Sequence, residues 1–218
     1  MNNIRTLEGE KFVDYFIRYK KIMNAENINI VVDLAKKHSL DKKDKNIRDL
    51  IIKIENHKNR YSLTNSSEEL IALIIEHDFV ASFFAKEAGK QNASEKAQLN
   101  YLKNKNINLE DLPNSIIKGG YKMEGVAKTL DYRSKKYPNR YFIGKVCMGN
   151  GGAQDSVFNE VRDAVKNVIL KPNEELYALI DGTRFHADAL IELKQYETNK
   201  IKITNCDDYG KEWTNTAK

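Results

Sequence analysis

Asp131 and Lys145 are the residues whose types and spacing first suggest chemistry in this chain. Lys145 stands in Tyr141-Phe142-Ile143-Gly144-Lys145-Val146-Cys147-Met148, an apolar run rich in aromatic and branched residues and too short for a helix, so it reads as a strand. Strand residues alternate faces, which puts Tyr141, Ile143, Lys145 and Cys147 on one side. An ammonium there is costly unless it has a partner. Lys128-Thr129-Leu130-Asp131-Tyr132 reads as the preceding strand, and the polar, proline-bearing residues 134–139 as a hairpin turn. Asp131 is then the expected partner of Lys145. An aspartate, a hairpin and a lysine within a strand outline a metal-dependent phosphodiesterase site. The plainer reading is that a lysine on an edge strand only discourages aggregation and an Asp at a strand end only makes a turn.

Two other constellations compete. Asp181-Gly182 followed by Glu192-Leu193-Lys194 offers a carboxylate, a gap and Glu-x-Lys. Residues 187–195 have helical spacing, however, and on a helix Glu192 and Lys194 point in different directions, whereas on a strand they would share a side. His77 or His186 would serve as base or ligand, but the four histidines are scattered, without Cys or His at metal-ligand spacing. A lone histidine is more often structural.

The elements that must position these residues are legible in outline. Phe12, Tyr15/Phe16, Tyr19 and Ile22/Met23 predict an amphipathic helix over 10–23, Val31, Leu34 and Ala35 a second over 28–38, and Ile47, Leu50, Ile51 and Ile54 a third over 46–61. Ser66 with Glu68 and Glu69 reads as a cap on a strongly apolar, buried helix running to Lys86. Gly89 and Asn92 mark a break, and Ser94 opens a helix through Leu102 with Glu95 in its first turn, where a carboxylate complements the helix dipole. Residues 109–113 and Gly119-Gly120 read as loop. Beyond 125 the order is strand, strand, helix, strand, helix, strand: the helix carries Val157/Phe158, Val161, Ala164/Val165 and Val168 and stops at Pro172, and the later strands are 176–180 and 200–206. This is an α/β (α+β) core behind an all-helical N-terminal half.

The 218 residues suit one domain, or one domain with a helical extension, and 41% hydrophobic against 31% charged residues fits a globular protein with a real core. No signal peptide is evident behind Met1-Asn2-Asn3-Ile4-Arg5-Thr6, and no apolar stretch approaches the roughly 20 residues that span a bilayer. Cys147 and Cys206 are too few for a Cys-rich zinc site, so both thiols are expected free in a reducing cytoplasm. A net charge of +5 permits nucleic-acid binding without demanding it.

Asp131, the hairpin, Lys145 and then Gly151-Gly152-Ala153-Gln154-Asp155 opening a helix resemble type II restriction endonucleases of the PD-(D/E)XK superfamily. Asp181-Gly182 at the end of a later strand and Gln91-Asn92-Ala93-Ser94-Glu95-Lys96 upstream extend the likeness over about residues 85–185. The resemblance implies a nuclease-like core, 86–218, with a mixed sheet flanked by helices; the helical region, 1–85, adds nothing recognisable to it and is expected to serve DNA binding or dimerisation, the two forming one compact unit. It implies sequence-specific hydrolysis of double-stranded DNA with Mg²⁺ by a cytoplasmic homodimer of a restriction-modification system. Asp131 and Glu95 would hold the metal, and Lys145 and Gln154 would complete the catalytic set. One departure stands out: the family's acidic residue two before the lysine is Ile143 here. Glu95, from a preceding helix, is the candidate replacement, and Gln154 or Asp155 would complete the site. The rival expectations are a non-catalytic DNA-binding protein on a decayed nuclease fold, and a small-ligand enzyme holding phosphate at residues 149–152, for which no Walker or Gly-x-Gly-x-x-Gly signature exists.

Overall fold

The computed structural model describes residues 4–41, 43–87, 92–111, 130–148, 152–183, 187–209 and 211. It is a mixed α/β protein whose elements among the described residues include α1 (Phe12–Lys37), α2 (Lys45–Tyr61), α3 (Ser67–Glu76), α4 (Asp78–Phe84), α5 (Ala93–Asn104), β1 (Leu109–Asp111), β2 (Tyr132–Ser134), β3 (Arg140–Val146), α6 (Gly152–Asn167), β4 (Glu175–Asp181), α7 (Ala187–Lys194) and β5 (Ile201–Thr204), with residues 206–209 helical as well. The chain divides into two compact units, residues 18–93 and residues 1–17 with 94–218. The boundaries differ from a split at 85/86 because the first turns of α1 belong with the sheet: the Phe12 amide donates to Asp207, and the Phe12 and Tyr15 rings lie 5.3 Å from that of Tyr101.

In the sheet-bearing unit the five strands follow chain order, β1-β2-β3-β4-β5. The first two junctions are antiparallel and the last two parallel, with α6 and α7 as the crossovers. Tyr132 pairs with Phe142, Lys145 with Ile180 and Val146 with Asp181. One face carries Tyr141, Ile143, Cys147, Leu176, Ala178, Ile180, Ile201 and Ile203, packed against Val161, Ala164 and Val165 of α6 and Leu193 of α7. These strands are almost continuously apolar because parallel strands are covered on both sides. On the other face Tyr132 reaches Gln98 of α5, and Phe142, Tyr177 and Tyr209 form an aromatic cluster with centroids 5.3–5.4 Å apart. Gly144 lies there too, and a Cβ on it would sit 2.4 Å from Gln98 Oε1 and 2.5 Å from the Tyr132 ring.

The other unit is helical. Val31, Val32 and Ala35 of α1, Leu50 and Ile54 of α2, Leu70, Ile71 and Ile74 of α3, and Ala81 and Phe84 of α4 make its core. Asp44 caps α2 by accepting from the Asn46 and Ile47 amides. Ser66 and Glu69 form a capping box at α3.

Several elements differ from the sequence expectation. The helices expected over 10–23 and 28–38 are one helix, α1, because the polar residues between them include no glycine or proline to end it. The helix expected to run from Ser66 to Lys86 breaks at His77, whose φ −134° and ψ 107° are extended. It is also not wholly buried, since Phe79 and Phe83 are exposed. Residues 109–111, read as loop, form the edge strand β1, three residues whose pairing with β2 overrides weak local propensity. The expected onset of the hairpin strand at 128–129, the 119–120 glycines and the 149–151 glycine loop lie outside the described residues.

Gly144→Ala should lower stability by roughly 1–3 kcal/mol through overpacking against Gln98 and Tyr132. A urea midpoint equal to that of the parent would contradict this packing.

Candidate active site

Lys145 is the penultimate residue of β3, and Asp131 immediately precedes β2, the strand paired with β3. The Asp131 amide donates to the Phe142 carbonyl at 3.0 Å, which continues the ladder and fixes its side chain beside β3. Asp131 Oδ2 accepts from the Gly144 amide at 2.9 Å and lies 4.0 Å from Lys145 Nζ. The two residues are thus brought together as their spacing implied. The pair sits where β3 and β4 end together, and in α/β sheets ligands characteristically bind outside the carboxyl ends of parallel strands.

Sequence reasoning missed Glu160. It projects from α6, and its Oε1 lies 3.0 Å from Lys145 Nζ, closer than Asp131 does. A signal was present in the sequence: Glu160 falls three residues after Val157 and four before Ala164, a charge within the apolar stripe of the helix that follows the lysine strand. A charge in such a stripe needs a partner, and the lysine of the adjoining strand supplies it. Glu95, in the first turn of α5, acts electrostatically on both Asp131 and Lys145. Gln154 falls in the first turn of α6, and its side chain lies outside the described residues. Asp155 is exposed.

The charges in this corner are tuned against each other. Burial pushes the Asp131 carboxyl up to about 6, Lys145 and the Gly144 amide hold it down in part, and Glu95 and Glu160 push it further up. Burial also opposes the charged form of Lys145, but Asp131 and Glu160 outweigh it and its pKa is raised. The site therefore holds a fixed ammonium among three carboxylates, one of them poised to titrate between its ordinary value and neutrality.

Behind the site lies a buried amide clasp. Gln98 Nε2 donates to Asp181 Oδ2 at 2.8 Å and to the Leu179 carbonyl at 3.2 Å, with the Lys145 carbonyl at 3.5 Å, while its Oε1 accepts from the Tyr132 hydroxyl at 3.1 Å. Asp181 Oδ1 accepts from the Cys206 amide at 3.1 Å. Burial lifts the Asp181 carboxyl to about 6, with the Cys206 and Gln98 hydrogen bonds acting against the rise. Asp181 thus belongs to the scaffold of β3 and β4. Glu192 and Lys194 do not join it: both are exposed on α7, and Glu192 pairs with Arg162 at 3.6 Å. His77 caps no site, being the hinge between α3 and α4, and His186 lies outside the described residues. Cys147 and Cys206 are free and buried.

Among the described residues no group of three or more His, Cys, Asp or Glu side chains is gathered tightly enough to hold a metal ion by protein ligands alone. Mg²⁺ does not need one, since it keeps several waters and takes one or two carboxylates. Asp131, raised chiefly by burial and further by Glu95 and Glu160, fits that requirement, because a dication beside it would favour the ionised form. Among the described residues, no helix is long and apolar enough to cross a membrane. No protein-family model matches the chain, and neither a curated protein nor a solved structure matches it.

Asp131→Asn should be more stable than the parent at pH 8, by an amount on the order of 1–3 kcal/mol, because it removes a carboxylate that burial disfavours in its charged form. The folded state binds the extra proton between the ordinary Asp value and about 6, so this group's contribution to stability falls as pH rises through that window. Thermal melts should accordingly converge below pH 4, and a mutant less stable than the parent at pH 8 would contradict this picture.

Proposed function

We propose that this protein is a Mg²⁺-dependent, sequence-specific endonuclease of the type II restriction class that hydrolyses phosphodiesters of double-stranded DNA. The observation that carries the reading is the pairing of Asp131 with Lys145 at the carboxyl end of β3, in a mixed sheet whose hairpin and parallel crossover follow the order implied by the PD-(D/E)XK resemblance. Ile143 is 5% exposed and committed to the apolar face, so the acidic role expected there must fall elsewhere. Glu160 takes that role in this proposal, alongside Glu95, since both act on Asp131 and Lys145.

When bound, Mg²⁺ would polarise the scissile phosphate and acidify a water. Asp131 and Glu95 would hold the cation. Lys145, kept cationic by Asp131 and Glu160, would face the phosphoryl oxygens and stabilise the negative charge that grows on them in the transition state. Glu160 fixes the ammonium at 3.0 Å, so Lys145 need not reorganise during the reaction. Gln98 and Asp181 hold the β3 and β4 ends in register beneath the reacting groups. The second reading, a non-catalytic DNA-binding protein on a decayed nuclease fold, is favoured by the burial of Ile143 at the acid position.

Incubation with plasmid and phage DNA in Mg²⁺ should give discrete fragments, while DNA left intact across diverse substrates would support the non-catalytic reading. Asp131→Ala and Lys145→Ala should abolish cleavage with the fold retained, and Glu160→Gln should slow it at least about 100-fold. Glu192→Ala and Lys194→Ala should leave the rate unchanged. Loss of activity in the Glu192 or Lys194 variant with activity retained at Asp131 would place the chemistry elsewhere.

A double-strand break needs two cuts, so we propose a two-fold dimer that matches the symmetry of a palindromic site. Sedimentation of the protein with and without its site should give two protomers per duplex, and one protomer at saturation would refute the dimer.

A further inference from the structure

The helical unit carries a groove of about 550 Å³ that the catalytic reading leaves unused. Its lining combines rings with cations: His57 and Phe83, and around them Lys53, Arg60 and Lys86. Glu87 is the one carboxylate among the described lining residues. The His57 ring lies 6.0 Å from Phe83, 5.2 Å from Phe84 and 4.5 Å from Tyr61. Phe83 also meets Phe79 edge to face at 5.0 Å, and the two rings remain 57% and 74% exposed. Phenylalanines left so open beside lysine and arginine need a reason, since a fold gains nothing from exposing them.

We propose that this groove binds unpaired DNA, stacking a base on Phe83, whose ring Phe79 braces edge to face, and holding the adjoining phosphates with Lys53, Arg60 and Lys86. Every base presents a π-face when it is out of the duplex, and none is available while it is stacked between its neighbours. Rings flanked by cations are therefore the complement of a single strand. A second copy of the chain fits poorly: a two-fold contact through this groove would bring Lys53, Arg60 and Lys86 against themselves, at a cost in like-charge repulsion. An apolar protein partner fits poorly as well, because lysine is depleted from the cores of protein interfaces. The inference shares with the endonuclease reading only the choice of polymer. It assigns the helical unit a grip on a displaced strand or an extruded nucleotide.

The test uses the full chain, a fluorescein-labelled oligo(dT) and fluorescence anisotropy without divalent cation, so that no cleavage takes place. The parent should bind, and more weakly as salt rises. Phe83→Ala should weaken binding about tenfold, and Lys53→Ala with Arg60→Ala should lower the slope of log affinity against log salt by about 1.4. All the substituted side chains are exposed or line the groove, and circular dichroism would confirm that the variants fold. Equal binding by parent and variants would overturn the proposal, as would absence of binding by the parent at low salt. A change in sedimentation of the variants without a change in oligonucleotide binding would assign the groove to a second copy and also overturn it. Plasmid cleavage measured in parallel separates this inference from the catalytic one. Cleaving protein with variants that bind oligo(dT) normally refutes the groove alone, and groove-dependent binding without cleavage refutes the enzyme alone.

Discussion

Charge buried at the carboxyl end of β3 is the constraint on which the sheet-bearing unit depends. Lys145 and Asp131 are both taken largely out of water, and each offsets part of the cost of burying the other. Their mutual attraction at 4.0 Å offsets only part of the desolvation, which is why Asp131 still rises to about 6. Glu160 at 3.0 Å supplies the rest for Lys145 and in doing so burdens Asp131 further. The result is a corner that stability alone would not select. Replacing a buried ion network by apolar packing of the same volume is often neutral or stabilising, and the proposed catalysis gives these charges a use.

The surrounding scaffold follows from that constraint. The ammonium must stay at one place on β3, and β3 must stay in register with β4. Gln98 meets both needs with a single side chain that donates to Asp181 and the Leu179 carbonyl, approaches the Lys145 carbonyl and accepts from Tyr132. The amide can lie this close to β3 only because residue 144 is glycine. Gly182 has the same logic at the end of β4: its φ of +111° and the approach of the Cys147 carbonyl leave no room for a Cβ. Even the raised carboxyl of Asp181 is part of this arrangement, since it is buried to orient an amide and the Cys206 backbone.

The helical unit obeys a different rule. Its core is ordinary aliphatic packing with well-formed caps, and its surface holds the anomaly. Breaking one long apolar run at His77 gives two short helices, and the second turns Ala81 and Phe84 inward while leaving Phe79 and Phe83 outward. Local sequence announces such a break only weakly, because no glycine or proline marks it and His77-Asp78-Phe79-Val80 are merely modest helix formers.

The class of fold and the pair of residues at its centre could be read from the order of the residues. Helical periodicity before residue 85, the aromatic and branched strand at 141–148, and the helix of Val161 and Val165 are each encoded within one element, so composition and period suffice. The bond between Asp131 and Lys145 was legible for the same reason: a hairpin joins neighbours in sequence. Tertiary structure alone decided the rest. Three residues at 109–111 become a strand only because β2 lies beside them. Glu160 reaches Lys145 only because the crossover helix returns across β3, and Gln98 meets Asp181 across 83 residues of chain. Distance along the sequence carries no information about such contacts, because they are set by how layers pack and not by the period of any one element.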